Sequence, residues 1–377
     1  MKLSEVNLTL FFTGSVSLRH WVEVGNLSRE IAVYEALTED LNAVNFVTYG
    51  GDEDKKYSSQ LGSIGCHPIP WSHHKTANIT RLLLRHWSFL NKSVVLKTNQ
   101  IIGCEVPIRI KKIFRKKLIV RCGYLLSRAA VKSGGEIADI TYAHKLEKFA
   151  FRNADIGVVT TEFSRHYIIE KYGISPDKIV VIPNYVDTEQ FRLINNVDKE
   201  YDIVFVGRAG EQKNLKTLFK SLAILKEKGQ NINLLLVGGC SSDIELKDLA
   251  KSMELKVVFY GNVRNDLLPD IINKGKLFIL PSIWEGHPKA LIEAMSCGMP
   301  CIGTAVEGIK EMIKNGETGY LCGTDADSIA NAIDTVLSDE ALKKKMGTNA
   351  RQYVVDNFSL DRVIKMELDV LKRVINL

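Results

Sequence analysis

Two acidic residues, Glu285 and Glu293, stand on either side of a glycine and a proline in the stretch 279–295, ILPSIWEGHPKALIEAM. The pattern predicts a strand, a loop and a helix that begins at Pro288, because proline suits the first helical position. Helical side chains lean toward the N-terminus of their helix, so both carboxylates can point at one ligand. The backbone N–H groups of residues 286–289, at the positive end of the helix dipole, predict a site for phosphate or another oxyanion.

Acids that flank an anion site fit a ligand with both phosphates and hydroxyls, as a sugar nucleotide has. The alternative is a solvated loop acid followed by an ordinary glutamate on a helix surface. The spacing of Glu285 and Glu293 alone favours that alternative.

A second stretch, FVGRAGEQKN at 205–214, also lies between a predicted strand and a predicted helix. Arg208 offers a planar fork and Lys213 a compact charge, a pair suited to a diphosphate. The stretch has neither the P-loop spacing nor the G-x-G-x-x-G dinucleotide fingerprint. Alone, both residues could be surface charges near the start of a helix.

The elements that must position these residues are apolar strands alternating with helical segments. Several strands are near-continuous apolar runs, which is typical of strands buried on both faces of a parallel sheet. The predicted strands are Val6–Thr13, Asn45–Tyr49, Val94–Lys97, Leu118–Cys122, Ile156–Thr160, Lys178–Ile182, Asp202–Val206, Ile232–Val237, Val257–Tyr260, Lys276–Leu280 and Pro300–Gly303.

This alternation predicts the α/β class, with two doubly wound Rossmann-like domains facing a cleft and ligands at the carboxyl ends of the strands. We place the first domain at residues 1–190 and the second at 191–355. The segment 356–377 is predicted to be a helix that packs back toward the first domain.

The net charge of +6 is unevenly distributed along the chain. The window from Lys75 to Lys132 holds 14 basic residues and one acidic residue, Glu105. Such a block indicates an anionic partner, and the helical spacing of Leu84, Trp87 and Leu90 favours docking on anionic lipid. The alternative is a core helix with a solvated basic face.

Composition excludes several classes of protein. The chain is 45% hydrophobic and 25% charged, which is typical of a globular protein, and its sequence has no apolar run long enough for a membrane span. An acidic residue, Glu5, already stands among the first five residues, and no small-residue cleavage site is present. Both features argue against a secretory signal. The seven cysteines form no C-x-x-C pair, which favours a reducing cytosol.

Together the two stretches resemble family 4 of the retaining GT-B glycosyltransferases, the "glycosyl transferases group 1" type. The resemblance rests on the E-x7-E element from Glu285 to Glu293 and on the Gly207-Arg208…Lys213 element. It extends through residues 259–263, 294–300, 315–319 and 357–359, and more loosely to 154–155 and 182–187.

The resemblance implies that Arg208 and Lys213 grip the donor diphosphate as it leaves. It implies that Glu285 contacts the transferred sugar and that Glu293 binds the ribose hydroxyls. The donor-binding residues implied are Gly14, Arg208, Lys213, Val263, Glu285, Gly286, His287, Pro288, Lys289 and Glu293.

Two positions depart from the family. Many members carry a Gly-Gly loop after the first strand, where this chain has Thr13–Ser17 with Gly14 as the candidate contact. Many also place a histidine after a mid-domain strand, where this chain offers Arg121 or Tyr124. Arg121 joins Glu285, Arg208 and Lys213 as a candidate catalytic residue.

No metal site is expected. The run Asp52-Glu53-Asp54 resembles a D-x-D metal motif but fits a hydrated turn better, and Cys66, His67, His73 and His74 lack the spacing of a zinc finger.

We therefore expect a metal-independent, retaining glycosyltransferase with a nucleotide-diphosphate sugar as co-substrate and no resident cofactor. The expected acceptor is a carbohydrate, including a lipid-linked glycan of surface-polysaccharide assembly. The protein would be cytoplasmic and peripheral on the inner face of the membrane, held through residues 75–132. A sugar-nucleotide epimerase of the same fold is the alternative enzyme, and a nucleic-acid-binding protein is the alternative outside enzymes.

Overall fold

The computed structural model describes all 377 residues except the side chain of Ser241. The chain divides into two compact units, one formed by Met1–Pro183 with Val363–Leu377 and the other by Asn184–Arg362. These boundaries differ from the predicted ones, which are residue 190 for the end of the first domain and residue 356 for the start of the returning segment.

The first unit is built on a seven-stranded parallel sheet with the order β3-β2-β1-β4-β5-β6-β7. Adjacent side chains in its middle strands point to opposite faces and are fully buried, as in Ile119 and Val120 of the fifth strand. The strands are β1 (Asn7–Phe11), β2 (Ala43–Thr48), β3 (Gly65–Pro68), β4 (Val95–Thr98), β5 (Lys117–Cys122), β6 (Ile156–Val159) and β7 (Ile179–Val181).

Helices connect these strands. They are α1 (Leu18–Glu23), α2 (Leu27–Leu37), α3 (Lys75–Lys92), α4 (Glu105–Phe114), α5 (Leu126–Lys132), α6 (Ile137–Asn153) and α7 (Glu162–Tyr172). A 3-10 segment, Gly51–Leu61, links β2 to β3.

The second unit has a six-stranded parallel sheet with the order β10-β9-β8-β11-β12-β13. Its strands are β8 (Tyr201–Val206), β9 (Asn233–Val237), β10 (Lys256–Gly261), β11 (Gly275–Leu280), β12 (Cys301–Thr304) and β13 (Tyr320–Cys322). The strand order reverses between β8 and β11, and in such sheets ligands bind beside the carboxyl ends of the strands at that switch point.

The helices of this unit are α8 (Leu215–Glu227), α9 (Ile244–Ser252), α10 (Leu268–Ile272), α11 (Lys289–Ser296), α12 (Glu307–Lys310), α13 (Ala326–Ser338) and α14 (Glu340–Phe358). The last helix, α15 (Leu360–Ile375), belongs to the first unit from Val363 onward.

The predicted α/β class with two doubly wound sheets is confirmed, and every predicted strand overlaps an observed one. Two observed strands were missed. Strand β3 has the sequence GCHP, with no apolar run, and β13 is only three residues long.

The prediction of a hydrated turn at residues 52–54 is wrong for Asp54. This side chain is fully buried, and its carboxylate accepts hydrogen bonds from the backbone N–H of Gly50 (3.0 Å) and of Arg19 (3.1 Å). Asp54 therefore joins the start of the 51–61 segment to Gly50 and to the first helix. Among the residues described, no helix has the length and apolar character that a membrane span requires.

Candidate active site

The loop after β11 carries the first acid of the candidate site. The strand Gly275–Leu280 is buried except at Lys276, and it delivers residues 281–288 to the carboxyl edge of the second sheet. The prediction that the helix begins at Pro288 is wrong by one residue. Pro288 has φ −71° and ψ 114°, which is extended, and therefore serves as the N-cap of α11.

Glu285 is held by two donors. Its Oε1 atom accepts hydrogen bonds from Lys213 Nζ at 2.5 Å and from Ser282 Oγ at 2.7 Å. The side chains of Glu285 and Lys213 are only 7% and 19% exposed, so water screens this pair weakly. Lys213 and Glu285 are 72 residues apart in the chain, and the structure brings them together.

Backbone contacts lock the same two segments. Ile283 N–H donates to the Gln212 carbonyl at 2.9 Å, and Gln212 Nε2 donates to the Trp284 carbonyl at 2.9 Å. The loops that follow β8 and β11 therefore form one rigid surface at the switch point of the sheet. Gln212 was not identified from the sequence.

Glu293 lies on α11 and is buried. Its Oε1 atom accepts a hydrogen bond from Asn265 Nδ2 at 3.0 Å, and the Asn265 carbonyl accepts one from Gln190 Nε2 at 3.1 Å. Asn265 lies shortly after the half-buried Val263, beyond the end of β10. Sequence reasoning missed Asn265, although its place just beyond the 259–263 element was a usable signal.

Arg208 follows β8 and is exposed. Close to it, the ends of β8 and β9 approach each other. Gly238 has φ +104°, and a methyl group there would lie 2.6 Å from the Gly207 carbonyl oxygen. Only glycine at 238 therefore lets the backbones at 207 and 238 come this close. As a result, no side chain from residue 238 crowds the backbone next to Arg208.

The Gly286 loop is supported from several directions within the second unit. The carbonyl of His287 accepts a hydrogen bond from Asn184 Nδ2 at 2.6 Å, and the His287 ring packs edge-on against Phe358 at 4.9 Å. Gly308 faces the Gly286 carbonyl so closely that a methyl group at 308 would lie 1.8 Å from that oxygen. These contacts explain why the resemblance to the family includes residues near 184 and 358 as well as the E-x7-E element.

The two candidate residues of the first unit, Gly14 and Arg121, have different surroundings. Gly14 is buried; its N–H donates to the Ile102 carbonyl at 2.9 Å, and a methyl group on it would lie 2.8 Å from the Trp71 ring. Arg121 Nη1 is 3.7 Å from Glu367 Oε1.

The partner of Arg121 belongs to a buried ionic cluster that sequence reasoning missed. Lys97 Nζ donates to Glu367 Oε2 at 2.6 Å, and both side chains are at most 3% exposed. Burial lowers the pKa of Lys97 below its ordinary value, and Arg121 lowers it further, while the negative charge of Glu367 opposes both effects. Lys97 and Glu367 are 270 residues apart, and neither stands in a recognisable motif.

Within the described part of the chain, no group of three or more His, Cys, Asp and Glu side chains is arranged to hold a metal ion.

Comparisons with known proteins agree with this geometry. Residues 186–353 match the family model described as "Glycosyl transferases group 1", and residues 137–190 match "Glycosyltransferase Family 4". Together these matches cover more than half of the chain.

Two curated relatives are similar in sequence. The N-acetyl-alpha-D-glucosaminyl L-malate synthase of Bacillus anthracis is 29% identical over 59% of this chain and 60% of its own length. The UDP-Gal:alpha-D-GlcNAc-diphosphoundecaprenol alpha-1,3-galactosyltransferase of Escherichia coli is 32% identical over 60% of this chain and 63% of its own. The chain thus aligns with less than two thirds of either relative.

The fold also matches a solved structure, that of Anabaena HepE in complex with UDP and glucose. The TM-score is 0.77 at 17% identity, covering 97% of this chain and 99% of that one. The two family matches therefore show that this chain belongs to the group 1 glycosyltransferases, and the likeness to HepE shows that it has the GT-B fold.

Proposed function

We propose that the protein is a retaining glycosyltransferase that moves a sugar from a nucleotide-diphosphate donor to a carbohydrate acceptor. The observation that carries the proposal is the Lys213–Glu285 pair at the switch point of the second sheet, inside the segment that matches the family. A cation and a carboxylate held 2.5 Å apart can serve the diphosphate and the sugar of one donor.

The donor's diphosphate would lie against Arg208, Lys213 and the N-terminus of α11. A lysine has three N–H donors, and Glu285 takes one of them from Lys213, so donors remain for phosphate oxygens. When the bond between the sugar C1 and the diphosphate oxygen breaks, negative charge develops on the diphosphate. Fixed cations and N–H groups aimed at that charge lower the barrier.

Glu285 and Glu293 would bind different parts of the donor. Oε1 of Glu285 already accepts from Lys213 and Ser282, and a carboxylate has further acceptor sites for sugar hydroxyls. Glu293, oriented by Asn265, would bind the ribose hydroxyls, with the backbone near Val263 at the base. The UDP in the HepE complex and the UDP-Gal donor of the Escherichia coli relative support a uridine nucleotide.

The acceptor would be a lipid-linked glycan. The Escherichia coli relative acts on a diphosphoundecaprenol-linked sugar, and a Campylobacter jejuni relative is named for a similar acceptor. Such a substrate requires the enzyme to work at a membrane surface.

The first unit offers a surface for that purpose on α3 and α4. Leu84 is 81% exposed and Trp87 55% exposed, and the Trp87 ring packs against Phe114 at 4.8 Å beside the exposed Ile113. Lys112 and Arg115 are exposed on and just after α4. The prediction that Leu90 shares this surface is wrong, because Leu90 is fully buried in the core. Each basic residue near anionic lipid contributes about 1 kcal/mol to binding.

The donor proposal is tested by thermal shift with UDP and UDP-sugars and by transfer kinetics. Glu293→Gln should weaken UDP binding, because the ribose contacts exist in ground and transition states alike. Glu285→Gln should reduce turnover more than affinity, and Arg208→Ala should cost about 2–4 kcal/mol in transition-state stabilisation. Glu317→Gln, an exposed acid of the same unit, is the control. Full turnover of Glu285→Gln at saturating donor would refute the assignment.

Co-sedimentation with phosphatidylglycerol vesicles tests the membrane proposal. Replacing Lys112, Arg115 and Lys116 by Glu should release the protein at low salt. A matched variant with Lys145, Lys148 and Arg152 replaced by Glu, exposed bases on α6, should stay bound. Equal loss in both variants, or equal sedimentation with neutral vesicles, would contradict the proposal.

A further inference from the structure

A cavity of about 490 Å³ opens at the edge of the first sheet where the strands begin. Asn7 is the first residue of β1 and Ala43 the first of β2, and both line it. The donor chemistry proposed above belongs to the carboxyl ends of strands in the other unit. This amino-edge cavity is therefore not part of that site.

One face of α3 forms a wall of the amino-edge cavity. Arg85, Ser88, Phe89 and Lys92 line it. The helix is kinked at His86 (φ −135°, ψ 21°), so Arg85 precedes the kink and the other three residues follow it. Arg85 and Lys92 are exposed, so two positive charges stand at the mouth. Asp52, whose pKa is lowered mainly by its hydrogen bond to Lys55, lies near Arg85 and pairs with Lys55 Nζ at 2.8 Å.

Two histidines, His67 and His86, line the interior of the amino-edge cavity. The His67 ring stacks on Phe89 at 3.7 Å with an angle of 8° between the planes, and the His86 ring meets His67 edge-on at 5.3 Å. His67 Nε2 is 3.0 Å from Asn45 Oδ1, and His86 Nε2 is 3.4 Å from the Pro68 carbonyl. Because a carbonyl only accepts, the contact with Pro68 requires a proton on His86 Nε2.

The electrostatics of these rings favour an anionic guest. Burial lowers the pKa of His67 to about 4, with His86 adding to the effect, and burial also lowers the pKa of His86. The charges that face His86 and lower its pKa further are Arg85 on its own helix and Lys55 from the 51–61 segment. Burial is the main cause of both shifts, and the positive charge at the cavity comes from Arg85 and Lys92. An anion bound beside the two rings would raise both pKa values.

We infer that the amino-edge cavity binds a phosphoryl group, with Arg85 and Lys92 pairing with its charge and His67 and His86 beneath it. The guanidinium fork of Arg85 matches the oxygens of phosphate, and the Phe89 ring offers an apolar wall to the attached carbon group. The volume exceeds that of bare phosphate, so an ester such as a lipid headgroup or a sugar phosphate fits. This inference is independent of the proposed transferase activity.

The test is an NMR titration of the histidine ring signals with inorganic phosphate at constant ionic strength. The signals of His67 and His86 should shift saturably and their pKa values should rise, while those of the exposed His20 and His73 stay constant. Arg85→Gln with Lys92→Gln should weaken binding about tenfold or more, since two charged contacts are lost. Arg109→Gln, an exposed arginine of the same basic window on α4, should bind as the parent does.

Vesicles distinguish the two sources of the phosphoryl group. If phosphatidylglycerol vesicles shift His67 and His86 and phosphatidylcholine vesicles do not, the ligand is an anionic lipid headgroup. If phosphate shifts them and neither vesicle does, the ligand is a soluble phosphate ester. Equal shifts of all exposed histidines, or unchanged phosphate affinity in the Arg85→Gln, Lys92→Gln variant, would overturn the inference.

Discussion

Replacing Gly308 by Ala perturbs the candidate active site without touching a donor-binding side chain. The new methyl group would lie 1.8 Å from the Gly286 carbonyl oxygen and 2.6 Å from that of Glu285. Real contacts of this kind are not shorter than 3.0 Å, so the Gly286 backbone and α12 must separate by about 1 Å. A misplacement of about 1 Å at a reacting centre can cost about a hundredfold in rate, or about 2.7 kcal/mol.

We therefore expect Gly308→Ala to lower kcat/KM for sugar transfer about a hundredfold, because Glu285 moves with the loop. Lys310→Ala, an exposed change on the same short helix, should leave kcat/KM nearly unchanged. Thermal unfolding with and without UDP separates a displaced loop from a failed fold. A Gly308→Ala protein with parental kcat/KM would show that the close approach of Gly286 and Gly308 does not position the site.

Three further outcomes are expected. Transfer should persist in EDTA, because Arg208, Lys213 and the N-terminus of α11 supply the positive charge; activity lost in EDTA and restored by Mn²⁺ would contradict this. Glu367→Gln should destabilise the first unit by about 3–5 kcal/mol in urea unfolding, because Lys97 is left buried without its carboxylate, whereas Lys97→Met with Glu367→Leu should cost much less. The folded-state pKa of His67 lies near 4, below the ordinary 6.5, so its contribution to stability is present above pH 6.5 and is lost as the pH falls toward 4. His67→Gln should make the free energy of unfolding depend less on pH over that interval. An unchanged pH dependence would show that other groups cause the loss of stability in acid.

The parts of the fold that could be predicted are those where one physical signal dominates. Strands such as β9 and β11 are apolar runs long enough to be recognised, because burial on both faces leaves no place for polar residues. Lys213 and Glu285 were singled out because each follows such a strand and because the two stretches resemble the group 1 glycosyltransferases. Parallel strands bring their carboxyl ends to one edge of the sheet, so residues far apart in the chain meet there.

The rest depends on contacts that local sequence does not encode. Asn265 donates a hydrogen bond to Glu293, and Gly308 lies against Gly286. The sequence signals Asn265 only through its place just beyond residues 259–263, and it gives no signal for Gly308. The helical spacing of α3 indicated an apolar face, but it could not decide that Leu90 enters the core while Leu84 does not. Which of the two leucines is buried depends on how the helix packs against the sheet.

The return of the last residues to the first unit also sets an order for biosynthesis. Glu367 is translated 270 residues after Lys97, which takes roughly 14 to 54 s at the usual speeds of ribosomes. During that time the first sheet lacks the carboxylate that its buried ammonium requires. The second unit is one continuous segment, Asn184–Arg362. We therefore expect the first unit, although its sheet is made earlier, to complete its buried ionic cluster only after the whole of the second unit has been synthesised.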